Sequence, residues 1–192
     1  MPPKIKITKN EIVETAFNLL RKNGESAINA RSVANALECS TQPVFSNFKT
    51  MDKLREEVIK VAYESYLGFI KREVDNEKYP RYKAFGMAYI RFAKEESELF
   101  KLLFMRDRRS EDTTLSTTDF EQSVQMIMNA NGVTYEKAKL IHTEIWIFVH
   151  GIATILVTSF LNIEWDDVSD MVTDAYRGIM ARHLSEENND SN

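Results

Sequence analysis

Apolar residues recur through most of this chain at intervals of three and four positions, which places them on one face of an α-helix. The segments 12–20 and 168–180 show this spacing most clearly. Extended to the whole chain, the pattern predicts helices over about 8–23, 31–37, 41–47, 51–73, 81–95, 98–106, 118–129, 135–160 and 166–184. No segment shows the period-two alternation of a strand, so the sequence predicts an all-α fold.

Residues that cap helices mark where several of these segments begin. Thr8 is followed three positions later by Glu11, a capping box in which each side chain accepts from the other residue's backbone amide. We expect Asn29 to be the N-cap of the second helix and Ser40 to cap the third. Pro43 then falls in the first turn of the third helix, where the backbone amide has no partner to lose.

Composition and charge narrow the class of protein. Only 6 glycines and 4 prolines occur in 192 residues, which favours helices over a fold rich in turns. The net charge is −4, but the charge is unevenly distributed. The first 60 residues hold ten basic and seven acidic side chains, whereas the rest hold 15 basic and 22 acidic. A basic head on an acidic body favours binding to phosphate at one end only.

Cysteine usage and hydropathy indicate where the protein acts. Cys39 is the single cysteine, which excludes an internal disulfide and a cysteine-based zinc site and fits a reducing cytoplasm. We interpret it as a small core residue. The N-terminus lacks the apolar run of a signal peptide. The most apolar stretch, 145–161, is interrupted by polar residues and indicates a buried interface helix, so we expect a cytoplasmic, nucleoid-associated protein with no membrane partner.

Residues 29–48 show the plan of a helix-turn-helix, with two short helices joined by a tight turn behind a supporting first helix. We expect the apolar residues of the two helices to face each other, namely Val33, Ala34, Leu37, Val44, Phe45 and Phe48. The exposed side of the second short helix carries polar groups that suit base edges or phosphates, namely Thr41, Gln42, Ser46 and Asn47. Lys49 and Lys53 follow, placed to meet backbone phosphate.

The run 12–54, about a quarter of the chain, resembles the DNA-binding head of the TetR (tetracycline repressor) family. The matching residues are Ile12, Ala16, Phe17, Leu20, Gly24, Ile28, Arg31, Val33, Ala34, Leu37, Ser40, Val44, Phe45, Phe48 and Leu54. The resemblance implies that the third helix enters the major groove of operator DNA. It also implies that the remaining helices bind a small molecule and form a homodimer.

Four departures from the family pattern affect individual contacts. Glu38 stands where the family often has glycine in the turn, and Phe45 lacks the hydroxyl of the usual tyrosine. Met51 replaces a usual lysine, and Gln42 with Pro43 replaces a more usual Gly-Thr. The predicted DNA-binding residues are Asn29, Arg31, Ser40, Thr41, Gln42, Pro43, Phe45, Ser46, Asn47, Lys49 and Lys53.

The C-terminal half adds a second resemblance. Trp146 and the pair His150-Gly151 are similar to a Trp…His-Gly motif on the penultimate helix of one TetR subgroup. His150 is either a core histidine with a satisfied hydrogen bond or a group that contacts the ligand or responds to pH. Gly151 would let two helices approach closely.

Effector and dimer contacts are predicted on the same half. An apolar or aromatic effector is expected to contact Phe100, Leu103, Phe104, Met105, Met126, Trp146 and His150. Two copies are expected to pair through their last two long helices, with contacts at Gly151, Ile155, Val172, Tyr176 and Ile179. The fourth helix joins head and body, so a ligand that shifts its far end would re-space the two recognition helices.

The predicted domains are a helix-turn-helix domain over 1–50, with the motif itself at about 29–48, and a ligand-binding and dimerisation domain over 51–185. A disordered tail is expected over 186–192, and a mobile polar loop over 107–118.

Two other classes of protein compete with a DNA-binding regulator. A helical enzyme is disfavoured because the sequence has no His-x-x-x-His, no Glu-x-x-His and no glycine-rich phosphate loop. Asp166, Asp167 and Asp170 lie at a helix start, where carboxylates complement the helix dipole. A helical interaction module without DNA binding is disfavoured by the basic head. The sequence therefore predicts no catalytic residue, no cofactor and no metal.

Overall fold

The computed structural model describes residues 7–107 and 114–190, with backbone alone for 114–118 and 186–190. The described residues form nine α-helices and one 3-10 turn, Glu25–Ala27, and they contain no strand. The helices are α1 (Lys9–Asn23), α2 (Ala30–Ala36), α3 (Gln42–Asn47), α4 (Met51–Asp75), α5 (Arg81–Glu95), α6 (Ser97–Phe104), α7 (Thr114–Asn131), α8 (Tyr135–Val157) and α9 (Trp165–Asp190). The predicted all-α fold is confirmed, and α5 has the predicted bounds.

The capping residues at the start of the chain act as their types predict. The Thr8 hydroxyl accepts from the Glu11 amide at 3.2 Å, and the Thr8 amide donates to the Glu11 carboxylate at 2.7 Å. Gly24 ends α1 with φ +78°, in the left-handed half of backbone space that glycine enters without strain. Asn29 caps α2 by accepting from the Ser32 amide at 2.9 Å.

The start of α3 differs from the prediction. Thr41 is the N-cap and makes no side-chain cap hydrogen bond, so the expectation that Ser40 caps this helix is wrong. The physical reason is that Thr41 already has helical backbone, with φ −70° and ψ −11°, whereas a capping side chain needs an extended residue. Pro43 lies in the first turn of α3, as predicted.

Three later helix ends also differ. α7 begins at Thr114, so residues 114–118 of the predicted loop are helical, and residues 108–113 lie outside the described residues. α8 ends at Val157, before Ser159 takes a left-handed φ of +53°, and α9 continues to Asp190. The predicted tail disorder stays a prediction; residues 191–192 lie outside the described residues, as do the side chains of 186–190.

The chain divides into two compact units, and the first holds the residues up to Gly68 together with Glu96–Arg106. It contains α1, α2, α3, most of α4, and α6. α1 packs against α2 and α6, and α2 packs against α3. The core of this unit includes Ile12, Ala16, Leu20, Val33, Val44, Leu54, Val58, Leu99, Phe100 and Leu102. The helix-turn-helix and α6 therefore share one core.

The second unit holds Phe69–Glu95 and the chain from Asp107 onward. α8 packs against α5, α7 and α9 at its centre. The buried residues include Met87, Ile90, Phe92, Ile127, Ile141, Val149, Ala153, Val168 and Met180. The predicted division of the chain between residues 50 and 51 falls inside the first unit and stays a prediction.

Candidate DNA-binding and effector sites

The turn between α2 and α3 is held by backbone hydrogen bonds and one strained residue. The Cys39 amide donates to the Ala34 carbonyl at 2.9 Å and closes the end of α2. Glu38 has φ +52°, in the left-handed region that costs a non-glycine residue about 1–2 kcal/mol. The position where the family pattern often has glycine thus keeps the backbone that glycine would allow.

α3 turns one side toward the core and the other outward. Val44 and Phe48, one helical turn apart, are buried together with Val33 of α2. Phe45 follows Val44 by one position, points away from this core and is 53% exposed. The expectation that Phe45 packs inward between the two helices is therefore wrong, because the helical period carries residue 45 away from the face shared by 44 and 48.

Three of the predicted DNA contacts have side chains bound within the head. Asn29 accepts from the Ser32 amide and donates to the Ser26 carbonyl at 3.1 Å. Ser46 donates to the Gln42 carbonyl at 2.8 Å. The Asn47 amide donates to the carbonyls of Pro43 at 2.8 Å and Ile7 at 3.5 Å. These three side chains shape the backbone of the motif, and Pro43 has no donor to offer.

The remaining contacts form an exposed set that we call the α3 surface, made of Ser40, Thr41, Gln42, Phe45 and Lys49. Within 7–107 and 114–190, no hydrogen bond or ion pair occupies the polar side chains of this set. Arg31, at the start of α2, is exposed in the same way. The α3 surface therefore offers a hydroxyl pair, an amide, an aromatic ring and a cation to a partner.

Lys53 differs from Lys49 in its surroundings. Its ammonium lies 2.7 and 2.8 Å from the two carboxylate oxygens of Glu56, one turn further along α4. A phosphate would have to compete with that carboxylate for the ammonium. Lys49 has no such neighbour among the described residues, so the two lysines, which the sequence treats alike, are not equivalent.

In the first unit, α6 carries four of the predicted effector residues. Phe100 and Leu103 are buried, Phe104 is half-buried and Met105 is exposed. The Phe104 ring lies 5.2 Å from the rings of both Phe100 and Tyr66, the latter edge-on from α4. The residues therefore form an aromatic cluster between α4 and α6.

α6 is also bound to the end of α1. The Arg21 guanidinium donates through both Nε and Nη2 to the Glu96 carboxylate, with Nε 2.8 Å from Oε2. Gly24 follows α1, and a Cβ added there would lie only 2.8 Å from the Glu98 carboxylate. The first unit thus packs the N-terminus of α6 directly against the supporting helix of the motif.

In the second unit, Trp146 and His150 form a stacked pair on α8. Their ring centroids are 5.0 Å apart and their planes differ by 15°. Nδ1 of His150 lies 2.8 Å from the Tyr89 hydroxyl of α5, and partial burial lowers the pKa of His150. The hydrogen bond expected of a core histidine is therefore present. Met126, the third predicted effector residue in this unit, is half-buried.

A second Tyr–His pair was missed by the sequence reasoning. Nδ1 of His142 lies 2.8 Å from the Tyr82 hydroxyl, and the Phe120 ring packs edge-on against the imidazole at 4.7 Å. Burial lowers the pKa of His142 to about 4 and raises that of Tyr82. The available signal was spacing: Tyr82 and Tyr89 are two helical turns apart, as are His142 and His150.

The predicted dimer contacts are divided between two sides of the last two helices. Gly151 is exposed, and Ile155 and Ile179 are half-buried. Val172 is buried in the core of its own chain, and the Tyr176 ring lies 5.8 Å from the Tyr82 ring. Other apolar residues of these helices are exposed at helical spacing, namely Leu140, Ile147, Phe148 and Met171.

Comparison with known proteins decides the family. A sequence profile of the "Tetracyclin repressor-like, C-terminal domain" matches residues 82–179, which is half of the chain. This chain belongs to the TetR family. The uncharacterized HTH-type transcriptional regulator YvkB of Bacillus subtilis (strain 168) is 22% identical over 121 residues. That alignment spans 63% of this chain and 64% of the relative, less than two thirds of its length.

The fold is shared with a solved structure. A TetR-like transcriptional regulator from Rhodococcus sp. RHA1 superposes with a TM-score of 0.68 at 14% identity, covering 94% of this chain and 98% of that one. The predicted membership in the family and the predicted type of protein, a transcriptional regulator, are confirmed. The resemblance to the Trp…His-Gly subgroup stays a prediction.

Two properties of this TetR-family regulator bear on the rival classes. α8 is long and apolar enough to cross a membrane, but a single such helix is weak evidence, because the apolar helix of a water-soluble core passes the same test. In the described parts of the chain, no three His, Cys, Asp or Glu side chains come together in a group that would hold a metal ion.

Proposed function

We propose that this TetR-family regulator is a homodimeric repressor that binds a roughly palindromic operator through α3 and leaves it when a small apolar or aromatic effector binds. The observation that carries the proposal is the α3 surface, whose polar side chains are exposed and unoccupied on a helix of the required motif. Gln42 lies in the first turn of α3, and its amide offers the donor and acceptor that match the N7 and N6 edge of adenine.

The charge of the head supports binding to duplex DNA. The first 60 residues have three more basic than acidic side chains, although the whole chain is acidic. Lys49 and Arg31 flank the exposed side of α3 and α2 and are suited to phosphate. Phosphate contacts of this kind supply affinity and register, while Gln42 supplies the choice of base.

The exposed apolar side of α8 supports pairing with a second copy. Only 28% of its most apolar 18-residue stretch is buried within one chain. A Cβ added at Gly151 of α8 or Gly178 of α9 would meet nothing within 4 Å, so both helices present an open, small-residue surface. A two-fold dimer built on this side would present two α3 helices to successive major grooves, about 34 Å apart.

The first unit supplies a route from effector to DNA. α6 carries Phe100, Leu103, Phe104 and Met105 and packs against α1, the supporting helix of the motif. An effector that binds against α6 and shifts it changes the position of α1, and α2 and α3 move with α1. Effector and operator then favour different states of one equilibrium, and each weakens the binding of the other.

The test compares the binding of the full chain to DNA from upstream of its own gene with binding to a scrambled duplex at one salt concentration. Gln42→Ala is expected to weaken operator binding about 5- to 150-fold, which corresponds to about 1–3 kcal/mol, and to change binding to the scrambled duplex little. Gln122→Ala, an exposed glutamine of α7, is the matched control. Equal losses on both duplexes would mean that Gln42 positions the protein and reads no base.

A further inference from the structure

Phe45 is the one large apolar side chain among the described residues 7–66 that is classed as exposed. The other large apolar residues of the head lie in its core or at its edge, including Val44 and Phe48 on the same helix. Phe45 is fixed to the outer side of α3 by a regular helical hydrogen bond from its amide to the Thr41 carbonyl at 3.2 Å. Its exposure is therefore set by the helix and not by a frayed end.

The neighbours of Phe45 leave its ring uncovered. At the helical period, Phe45 lies between Thr41 and Gln42 on the outer side of α3. Thr41 is too short to cover an aromatic ring, and the nearby Ser46 hydroxyl turns back to the Gln42 carbonyl at 2.8 Å. The ring thus lies in the middle of the polar α3 surface, where only a partner can bury it.

We propose that Phe45 reads a thymine in each operator half-site by packing its ring on the C5-methyl group. The inference rests on the proposed function, since it assumes that α3 enters the major groove. The thymine methyl is the one apolar group that a base presents in that groove, so an exposed ring on the entering helix selects thymine over cytosine. A phenol hydroxyl, which phenylalanine lacks, would instead favour a phosphate oxygen.

The position of the thymine follows from helix geometry. Gln42 and Phe45 are three residues apart, so their Cβ atoms are about 5–6 Å apart on one side of α3. Successive base pairs are 3.4 Å apart along the duplex. The thymine read by Phe45 therefore lies one or two base pairs from the base read by Gln42.

The test begins with selection of operator sequences from random duplexes by the full chain, followed by replacement of each selected thymine with uracil, one at a time. Uracil keeps every hydrogen-bonding group of thymine and lacks only the methyl. Removing a buried methyl is expected to weaken binding by the wild-type protein about fourfold at one thymine per half-site. Phe45→Ala is expected to weaken operator binding at least tenfold and to bind the thymine and uracil duplexes equally.

Two further variants keep the outcome decisive. Phe45→Leu retains an apolar side chain and is expected to retain part of the preference for thymine, while Lys49→Ala is expected to lower affinity and to keep the whole preference. Because Phe45 is exposed, its variants are expected to unfold at the wild-type temperature.

The inference is overturned if no thymine in the selected site responds to uracil, or if Phe45→Ala responds as the wild type does; either result would mean that the ring packs on sugar and phosphate. If selection enriches no sequence at all, the proposed function fails with it.

Discussion

Tyr82 of α5 and His142 of α8 share a hydrogen bond of 2.8 Å in the core of the second unit, with the imidazole largely shielded from water. Burial holds the pKa of His142 at about 4, against an ordinary value of 6.5, so the ring is neutral at physiological pH. The imidazole is therefore a packing and hydrogen-bonding group there, and protonation works against the fold.

We expect the free energy of unfolding to fall as the pH is lowered from 7 to 5. Below pH 6.5 the unfolded chain takes up a proton at His142 that the folded chain takes up only near pH 4. This difference costs about 2 kcal/mol by pH 5 and is absent above pH 7. Urea unfolding at several pH values measures it. His142→Gln removes the titrating group, so its stability should depend less steeply on pH than that of the wild type; parallel curves would contradict the assignment.

The ion pair between Arg21 and Glu96 is expected to contribute a small but measurable coupling between α1 and α6. Arg21 is about half exposed, and Glu96 is mostly buried, with two hydrogen bonds between them. A double-mutant cycle with Arg21→Ala and Glu96→Ala should give about 0.5–1 kcal/mol. Arg72 and Glu95, separated by 3.4 Å and both exposed, form the control pair, whose coupling should be near zero. Equal couplings would show that the two hydrogen bonds add nothing.

Local features of this protein were predicted well because each depends on residues close together in sequence. The capping box of Thr8 and Glu11 and the cap at Asn29 need only a few consecutive residues. The Tyr82–His142 pair joins residues 60 positions apart, and a single sequence does not specify how two helices are rotated against each other. The outward position of Phe45 was missed for another reason: an apolar residue beside Val44 was assigned to the core by type, although the helical period takes it outward.

Glu38→Gly is expected to raise the free energy of unfolding by up to about 1 kcal/mol. Relief of the left-handed backbone at Glu38 returns about 1–2 kcal/mol, and the greater freedom of glycine in the unfolded chain removes about 0.4–1 kcal/mol of that. Glu64→Gly, at an exposed position within α4, is the control and should lower stability by about 1 kcal/mol. Thermal unfolding of both variants measures the difference. A loss of stability in Glu38→Gly would show that contacts of the side chain outweigh the strain.

Lys49→Ala is expected to weaken binding to operator and to scrambled DNA by similar factors and to reduce the salt dependence of binding by about one unit of slope. Lys53→Ala should change the slope by less, because the Glu56 carboxylate already neutralises that ammonium. Binding measured from 50 to 200 mM salt distinguishes them. If the two variants lost the same slope, the pairing with Glu56 would have no effect at the DNA surface.

Gly151→Phe is expected to weaken the dimer, because a ring placed on an open helix surface prevents close approach of a second copy. Nothing lies within 4 Å of a Cβ added at Gly151, so the single chain should accommodate the ring and keep its fold. Overpacking of a close helix contact costs about 1–3 kcal/mol, which corresponds to a dissociation constant about 5 to 150 times larger. Sedimentation equilibrium at micromolar concentration measures it.

Gly68→Phe is the matched control for this substitution, since Gly68 is an exposed helical glycine of α4 and a Cβ there also meets nothing within 4 Å. It should leave the dimer unchanged. If both substitutions left the association constant unchanged, the second copy would have to pack elsewhere than on the Gly151 side of α8. The exposed residues Leu140, Ile147 and Phe148 would then need another apolar partner, and binding of the full chain to phospholipid vesicles would be the next measurement. A wild-type chain that is monomeric at these concentrations would remove the basis for a two-fold operator altogether, because two α3 helices can occupy successive major grooves only when two chains are joined.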